Sequence, residues 1–307
     1  MYRDGTGASC KPHLKLVKCV RAFDELPPIR SMSYKADSEE LFLADEPSPK
    51  VRTINMHANQ GSREMPIVYE NNSNENNMRG FHNVCHINDP ETLLVCWSES
   101  NTNNYWLAAL RRSRDEGEGK WREKKRLRIE NTIIYWIDCF ALSKSRVLIG
   151  EHNSKYMELF RIHSNDPIIK SANRIEVPEE YNYFSARDGS EGEVLVAMSY
   201  KNMIVKVHLL DSNKLKTVAS ILMYQYPNIR GYQHKKDKPG RLLWVGSSRL
   251  LVMCKRHVVI LNYSCVGNKH KLEKTIDVDF LKVVKWCALD DGLVIYDSSG
   301  IQQYIIS

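Results

Sequence analysis

No stretch of this 307-residue chain approaches the roughly 18 consecutive apolar residues of a membrane helix, so the sequence predicts no membrane span. The N-terminus, MYRDGTGASCKPHLKL, lacks the apolar segment of a secretory signal. The expectation is an intracellular protein, cytoplasmic or nuclear. GxSxG, HExxH, P-loop and GxGxxG patterns are all missing, and with them the common local signatures of hydrolysis and nucleotide binding. There is no CxxC pair and no Cys/His spacing of the zinc type. The sequence therefore predicts no cofactor and no catalytic residue.

What is present is ordinary globular material. Hydrophobic residues make up 42% of the chain, enough for a substantial core, and charged residues 26%. Of the eight cysteines, Cys19, Cys96, Cys139, Cys254 and Cys287 lie inside apolar runs, where a free thiol behaves as a small hydrophobe. Buried, reduced thiols are expected. The net charge of +7 suits an acidic partner or simple solubility, and its distribution matters more than its sum.

The informative feature is a repeat. ELFLAD, TLLVCW, RVLIGE, EVLVAM, RLLVMC and GLVIYD are short, apolar and bounded by turn residues, which reads as buried strand. Their second residues, Leu41, Leu93, Val147, Val194, Leu250 and Leu293, are separated by 52, 54, 47, 56 and 43 positions. A weaker strand precedes each run: RSMSYK, NVCHI, WIDCFAL, YFSAR, LLWVG and VKWCAL. A third follows after a polar turn, as in KVRTINM, YWLAAL and MIVKVHLL, and a fourth after that, as in MPIVYE and LEKTIDVDF. Repeats of this period signal a radial or solenoid architecture.

The sixth unit ends without a fourth strand, while HLKLVKCVR, residues 13–21, precedes the first complete unit. A six-bladed β-propeller of four-stranded blades accounts for both, with the N-terminal strand completing the last blade and removing an open edge. The fold expected is all-β. Residues 1–10 form a disordered leader and 11–307 a single propeller domain. Its blades span about 29–75, 78–130, 131–179, 180–227, 228–282, and 283–307 with 13–21. The Asn-rich stretch 70–78 and the charged stretch 111–123 are expected to be exposed loops.

LFLADEPSPKVRTINM, residues 41–56, resembles one repeat of the NHL and YWTD-type six-bladed propellers. In those repeats an apolar strand ending in Asp precedes a short turn and a basic-apolar strand. The likeness extends to 292–306 and is one of pattern elsewhere. No Trp-Asp dipeptide of the WD40 kind and no double glycine of the kelch kind accompanies it. What the resemblance implies is a ring of loops that NHL propellers use for RNA, and that lactonase-type propellers use for metal-dependent hydrolysis.

Candidate sites follow from that frame. The ends of the six strong runs, Asp45, Trp97, Glu151, Met198, Cys254 and Asp297, would correspond to channel positions. Asp45, Glu151 and Asp297 could hold calcium, or each could satisfy donors in its own turn. His82 and His86, in GFHNVCHIN, would share a strand face with Cys85 opposite, giving a packed histidine pair rather than a metal site.

Two basic segments stand out. Residues 111–130 carry nine Arg/Lys against five Asp/Glu and belong to a third-to-fourth-strand connection. Residues 224–241 carry Arg230, Lys235, Lys236, Lys238 and Arg241, interleaved with aromatics such as Tyr232. The second segment shares a ring face with the turns bearing Lys155, Tyr200, Lys201, Lys255 and Arg256. Cations that track phosphates and rings that stack on bases would suit single-stranded RNA, whereas a solvated basic face would merely aid solubility. The leading expectation is a non-catalytic scaffold presenting loops to protein partners. RNA binding through the basic arc comes second, and a metal-dependent lactonase-like hydrolase third.

Overall fold

The computed structural model describes residues 14–21, 28–46, 48–56, 65–71, 78–99, 104–113, 120–129, 137–143, 145–151, 154–163, 170–189, 192–201, 203–223, 240–254, 257–266, 269–279, 285–289, 291–297 and 300–306. The expected leader, residues 1–10, lies outside them, as does most of the Asn-rich stretch.

Every element among the described residues is a strand, and the strands are those that period and turn chemistry predict. Strand β1 is Leu14–Arg21. The next sheet comprises β2 (Ile29–Lys35), β3 (Glu40–Asp45), β4 (Lys50–Asn55) and β5 (Ile67–Glu70). It is followed by β6 (Met78–Ile87), β7 (Thr92–Glu99), β8 (Tyr105–Arg112) and β9 (Trp121–Ile129). Then come β10 (Ile137–Leu142), β11 (Arg146–Glu151), β12 (Tyr156–Arg161) and β13 (Lys170–Glu176). The fourth group is β14 (Tyr183–Asp188), β15 (Val194–Tyr200), β16 (Ile204–Asp211) and β17 (Lys214–Leu222). The fifth is β18 (Leu242–Val245), β19 (Arg249–Cys254), β20 (His257–Val266) and β21 (Lys269–Asp279). The last is β22 (Lys285–Ala288), β23 (Gly292–Asp297) and β24 (Gly300–Ile306).

These strands form four separate four-stranded antiparallel sheets and one eight-stranded sheet, in a propeller-like arrangement. The eight-stranded sheet departs from the expected pattern of separate blades. It consists of two antiparallel meanders, β10–β13 and β14–β17, whose outer strands touch through a single parallel pairing, Glu176 with Lys214. The terminal sheet has the order β1-β24-β23-β22. Leu14 pairs with Ile306 and Arg21 with Gly300, so the N-terminal strand does complete the last sheet.

Side-chain parity explains why the second strand of each group reads as an unbroken apolar run. Successive side chains point to opposite faces, and here both faces are covered. Leu41 and Leu43 pack with Val294 and Tyr296, whereas Phe42 and Ala44 pack with Phe81, Val95 and Trp97. Val147 and Ile149 pack back onto Cys96 and Leu107, and Leu148 forward onto Phe184 and Val196. Six clusters result. Five join consecutive groups along the chain, and the sixth joins the last group to the first.

Gly150 marks how tightly these faces meet. A Cβ there would lie 2.6 Å from Phe184 Cε1 and 2.7 Å from Tyr181 Oη. The ring pair of the next group occupies the volume a side chain would need.

One expected loop is shorter than residues 111–123. Strand β8 runs to Arg112 and β9 starts at Trp121, whose indole is buried against Phe42 and His86. An apolar ring inside the charged stretch outweighs its neighbours, because burying it is worth about 2–3 kcal/mol.

Two outcomes test this packing. Gly150→Val should lower stability by about 1–3 kcal/mol in urea titration, as overpacking does. Deleting residues 1–21 should leave the β24 edge unpaired, lower Tm by about 10 °C and promote oligomers on size exclusion. A monomeric deletion variant with unchanged Tm would show that β1 does not secure the ring.

Candidate functional site at the mouth of the central channel

The first strands of the six groups, β2, β6, β10, β14, β18 and β22, together line one cavity of about 330 Å³. This is the central channel. Hydroxyls stitch neighbouring first strands together: the backbone N–H of Val84 donates to Ser31 Oγ (3.3 Å) and that of His86 to Ser33 Oγ (2.9 Å). On the other side the Trp244 N–H donates to Ser185 Oγ at 3.2 Å.

The channel positions expected from the sequence need correction. Asp45, Trp97 and Met198 do not line the cavity, because the second strands stand one layer further out. Trp97 and Met198 are wholly buried between sheets. Asp45 is 1% exposed and accepts from Arg52 Nε at 2.8 Å and Ser48 Oγ at 3.2 Å, both on its own hairpin. Desolvation raises its pKa, and Arg52 opposes the shift. The side chains of Glu151, Cys254 and Asp297 lie outside the described residues. Among the described residues, no group of three His, Cys, Asp or Glu gathers as a metal site would.

His82 and His86 do not share a face. The pairing of β6 with β7 is irregular between Phe81 and Asn83, and a bulge there resets the alternation. His86 stacks on Phe42 (centroids 5.6 Å apart), while His82 meets Tyr105 and its Nε2 lies 2.6 Å from Ser98 Oγ. Each histidine is packed by itself. Burial, with Lys35 next in effect, lowers the His86 pKa to about 4.

Residues 224–239 and 255–256 lie outside the described residues, and with them Arg230, Tyr232, Lys235, Lys236, Lys238, Lys255 and Arg256 of the expected basic arc. Of its other members, Tyr200 does not offer a stacking face. It is 4% exposed, its hydroxyl lies 2.8 Å from His208 Nε2, and Lys206 covers its ring at 4.6 Å. Lys201 is exposed but ion-paired with Glu180 at 3.1 Å, and Lys206 is paired with Glu179. Lys155 is exposed in the β11–β12 turn. Arg241, the last member, lines the channel.

The other basic segment is tied up at the opposite end of the ring. Arg112 bridges Glu40 and Glu91 of two neighbouring sheets, and Arg111 donates to the His163 carbonyl at 2.8 Å. Arg126 lies over the Trp97 and Trp106 rings. Arg111 and Arg112 thus tie neighbouring sheets together, whereas Arg126 packs within its own sheet.

Arg241 has companions that sequence reasoning missed. Arg30 and Lys285 occupy the same level, at or just before the start of β2, β18 and β22. Among the described residues, Arg30, Arg187, Arg241 and Lys285 line the channel together with Asp138. Glu46 stands at the rim, paired with Arg30. Arg187 lies deeper, over the Trp244 and Tyr263 rings at 4.6 and 5.7 Å. The signal that would have exposed the cluster is positional: the leading residue of each first strand, compared across the repeat.

Lys285 is 8% exposed. Desolvation first, then Arg241 and Arg30, lower its pKa from about 10.5 to about 7, with Glu46 and Asp138 opposing. A base depressed in the folded state destabilises the fold wherever it must carry charge. Below pH 7 folded and unfolded chains both hold the proton and the full cost applies. Between pH 7 and 10.5 the unfolded chain binds more protons, so stability rises with pH. Lys285→Met should therefore gain most over wild type near pH 6, with the gap in Tm shrinking toward pH 10. A gap independent of pH would contradict the buried-cation account.

No protein-family model matches the chain, and no curated protein matches it either. Solved structures do resemble it. The PQQ-bound aldose sugar dehydrogenase of Streptomyces coelicolor is similar over 97% of this chain and 99% of its own, with a TM-score of 0.60 and 8% identity. The RRP9 WD40 repeats match over 96% and 97%, with a TM-score of 0.57 and 8% identity. Sqt1 of Saccharomyces cerevisiae matches over 90% and 81%, with a TM-score of 0.55 and 7% identity. At such identities the likeness establishes the β-propeller fold and nothing further.

Proposed function

We propose that the chain is a six-bladed propeller, with repeats of the NHL and YWTD pattern, that acts as a non-catalytic scaffold presenting its loops to protein partners inside the cell. The observation that carries this reading is the way its chemically capable groups are spent on packing. Cys85, Cys96, Cys139 and Cys287 are buried and free. Desolvation pushes the Cys85 and Cys287 thiols up to about 12, far from the thiolate a nucleophile needs. His86 and His208 are buried, each with a pKa near 4. His208 is held by Tyr200 and Thr217 rather than facing open space.

Six interfaces support the six-blade count, the last joining β22–β24 to β2–β4. The single parallel contact between β13 and β17 then reads as two blades meeting at their outer rims. Closed in this way, the ring keeps its connections in place at both ends, which suits a scaffold. The dehydrogenase among the similar structures indicates that such rings also host chemistry, so the choice rests on this chain's own groups.

Affinity purification from cell extract, with and without ribonuclease, followed by crosslinking mass spectrometry, tests the reading. A defined set of proteins that survives ribonuclease, with crosslinks at Lys155, Lys201 or residues 224–241, is the expected result. Loss of the set with ribonuclease, and crosslinked RNA at Tyr232 and Lys235–Lys238, would instead make the basic arc an RNA surface.

A further inference from the structure

We infer that Cys265 is a reactive thiol that exchanges with low-molecular-weight disulfides, with His270 taking the proton from its sulfur and Tyr263 holding the imidazole in place. This goes beyond the scaffold reading and does not rest on it, because a ring can carry a modifiable thiol whatever its loops bind.

Among the described cysteines, Cys85, Cys96, Cys139 and Cys287 are spent on packing, while Cys265 is reduced and exposed. Strand register brings it to a base. β20 and β21 pair antiparallel, with Cys265 opposite His270 and Tyr263 opposite Leu272. Residues directly opposite one another project to the same face of a sheet, as do residues two apart on one strand. Tyr263, Cys265 and His270 therefore share a face. His270 Nε2 lies 3.9 Å from Cys265 Sγ, and its Nδ1 lies 2.6 Å from Tyr263 Oη. Both ring nitrogens are thus engaged on that face, one by the thiol and the other by the phenol.

A cysteine within reach of a histidine that is itself oriented by a third group is the arrangement that activates a thiol nucleophile. The third group is firmly held here. Tyr263 is 6% exposed, its ring meets Trp244 edge-on at 5.6 Å, and Arg187 stands 5.7 Å from its centroid. Burial first, then Cys265, raise the Tyr263 pKa, with Arg187 opposing and Glu193 adding, so the hydroxyl keeps its proton at neutral pH. In the tautomer that carries its proton on Nδ1 and donates it to Tyr263 Oη, the His270 ring turns the Nε2 lone pair toward Sγ. A buried tyrosine thus fixes a half-buried histidine, which faces an exposed sulfur. Val266, next along the strand, is 79% exposed, so this end of the hairpin stands open to solvent.

The exchange balances with the disulfide as oxidant. As Sγ attacks one sulfur of the incoming disulfide, its proton passes to Nε2. The old S–S bond breaks, a new one forms to Cys265, and the leaving thiolate takes the proton from His270 to depart as a thiol. The two electrons that Cys265 gives up are those that reduce the leaving half.

Incubation of the full chain with glutathione disulfide at about pH 7.5, quenched at intervals and mapped by peptide mass spectrometry, tests this. The tryptic peptide 257–269 holds Cys265 and no other cysteine, so its mixed disulfide reports this thiol alone. The rate constant for that peptide should fall about tenfold or more in His270→Gln. It should fall less steeply in Tyr263→Phe, which keeps the buried ring and removes the hydroxyl. Both deficits should close toward about pH 10, where a thiol ionises without a base. The charges around His270 are Lys269, Lys271 and Glu273 on its own strand, Arg187 and Glu193 beside Tyr263, and Lys214 and Lys216 on β17, which packs against β21. Lys269→Gln removes one of these charges and should leave the rate unchanged. Circular dichroism and Tm would confirm that each variant folds. Folded wild type left unmodified at Cys265 would overturn the inference, as would a His270→Gln variant that reacts as fast as wild type at pH 7.5. A His270→Gln deficit that persists undiminished at pH 10 would also overturn it, by marking a purely structural role.

Discussion

The burial of the second strand of each group on both faces is the constraint on which the rest depends. A strand such as Leu41–Asp45 cannot be satisfied by its own sheet, since a sheet offers it hydrogen bonds but no cover. It needs a neighbour on each side, and each neighbour needs the same. The only arrangement that serves every strand equally is a closed one, because an open row would leave an apolar face bare at each end. At about 25 cal/mol per Å² of apolar surface, exposing one such face would cost more than the few kcal/mol by which domains are commonly stable. Closure through Leu14–Ile306 and the cluster joining Cys287, Val294 and Tyr296 to Leu41 and Leu43 is thus a condition of stability.

Closure also creates the channel, and the channel inherits its chemistry from residues that have no reason to meet otherwise. In the first strands Ser31, Ser33 and Ser185 accept hydrogen bonds from backbone N–H groups across the gaps between sheets. Their leading residues sit where backbone ladders end and side chains converge. Charge at that level is costly, as the depressed pKa of Lys285 records. The same packing forces Lys285 toward neutrality, with Glu46 and Asp138 opposing the shift.

Much of the fold was legible because strand periodicity is local. All the expected strands form, most within a residue or two of where turn residues bound them, and the missing fourth strand of the last group was found at the other end of the chain. What could not be read depends on geometry that appears only after assembly. The bulge at Phe81–Asn83 turns His82 away from His86, and no residue there announces it by type. Tyr200 reads as an aromatic in a basic turn, yet the ladder of β15 carries it into the interior beside His208. The parallel contact of Glu176 with Lys214 arises between rims 38 positions apart in sequence, and it depends on how far two sheets splay.

The cationic mouth was illegible for a different reason. Arg30 and Lys285 are single charges in unremarkable surroundings, and Arg241 is the last residue of a segment, 224–241, that attracts the eye for its density of charge, as 111–130 does. Dense charge in a sequence mostly belongs to solvent, where water and nearby acids absorb its field. Arg112, within 111–130, is held by Glu40 and Glu91. Arg30, by contrast, meets its partner Glu46 only once the β2 and β3 ends are brought together by folding. Position within the repeat, more than local charge density, is therefore what brings Arg30, Arg241 and Lys285 to one level of the channel.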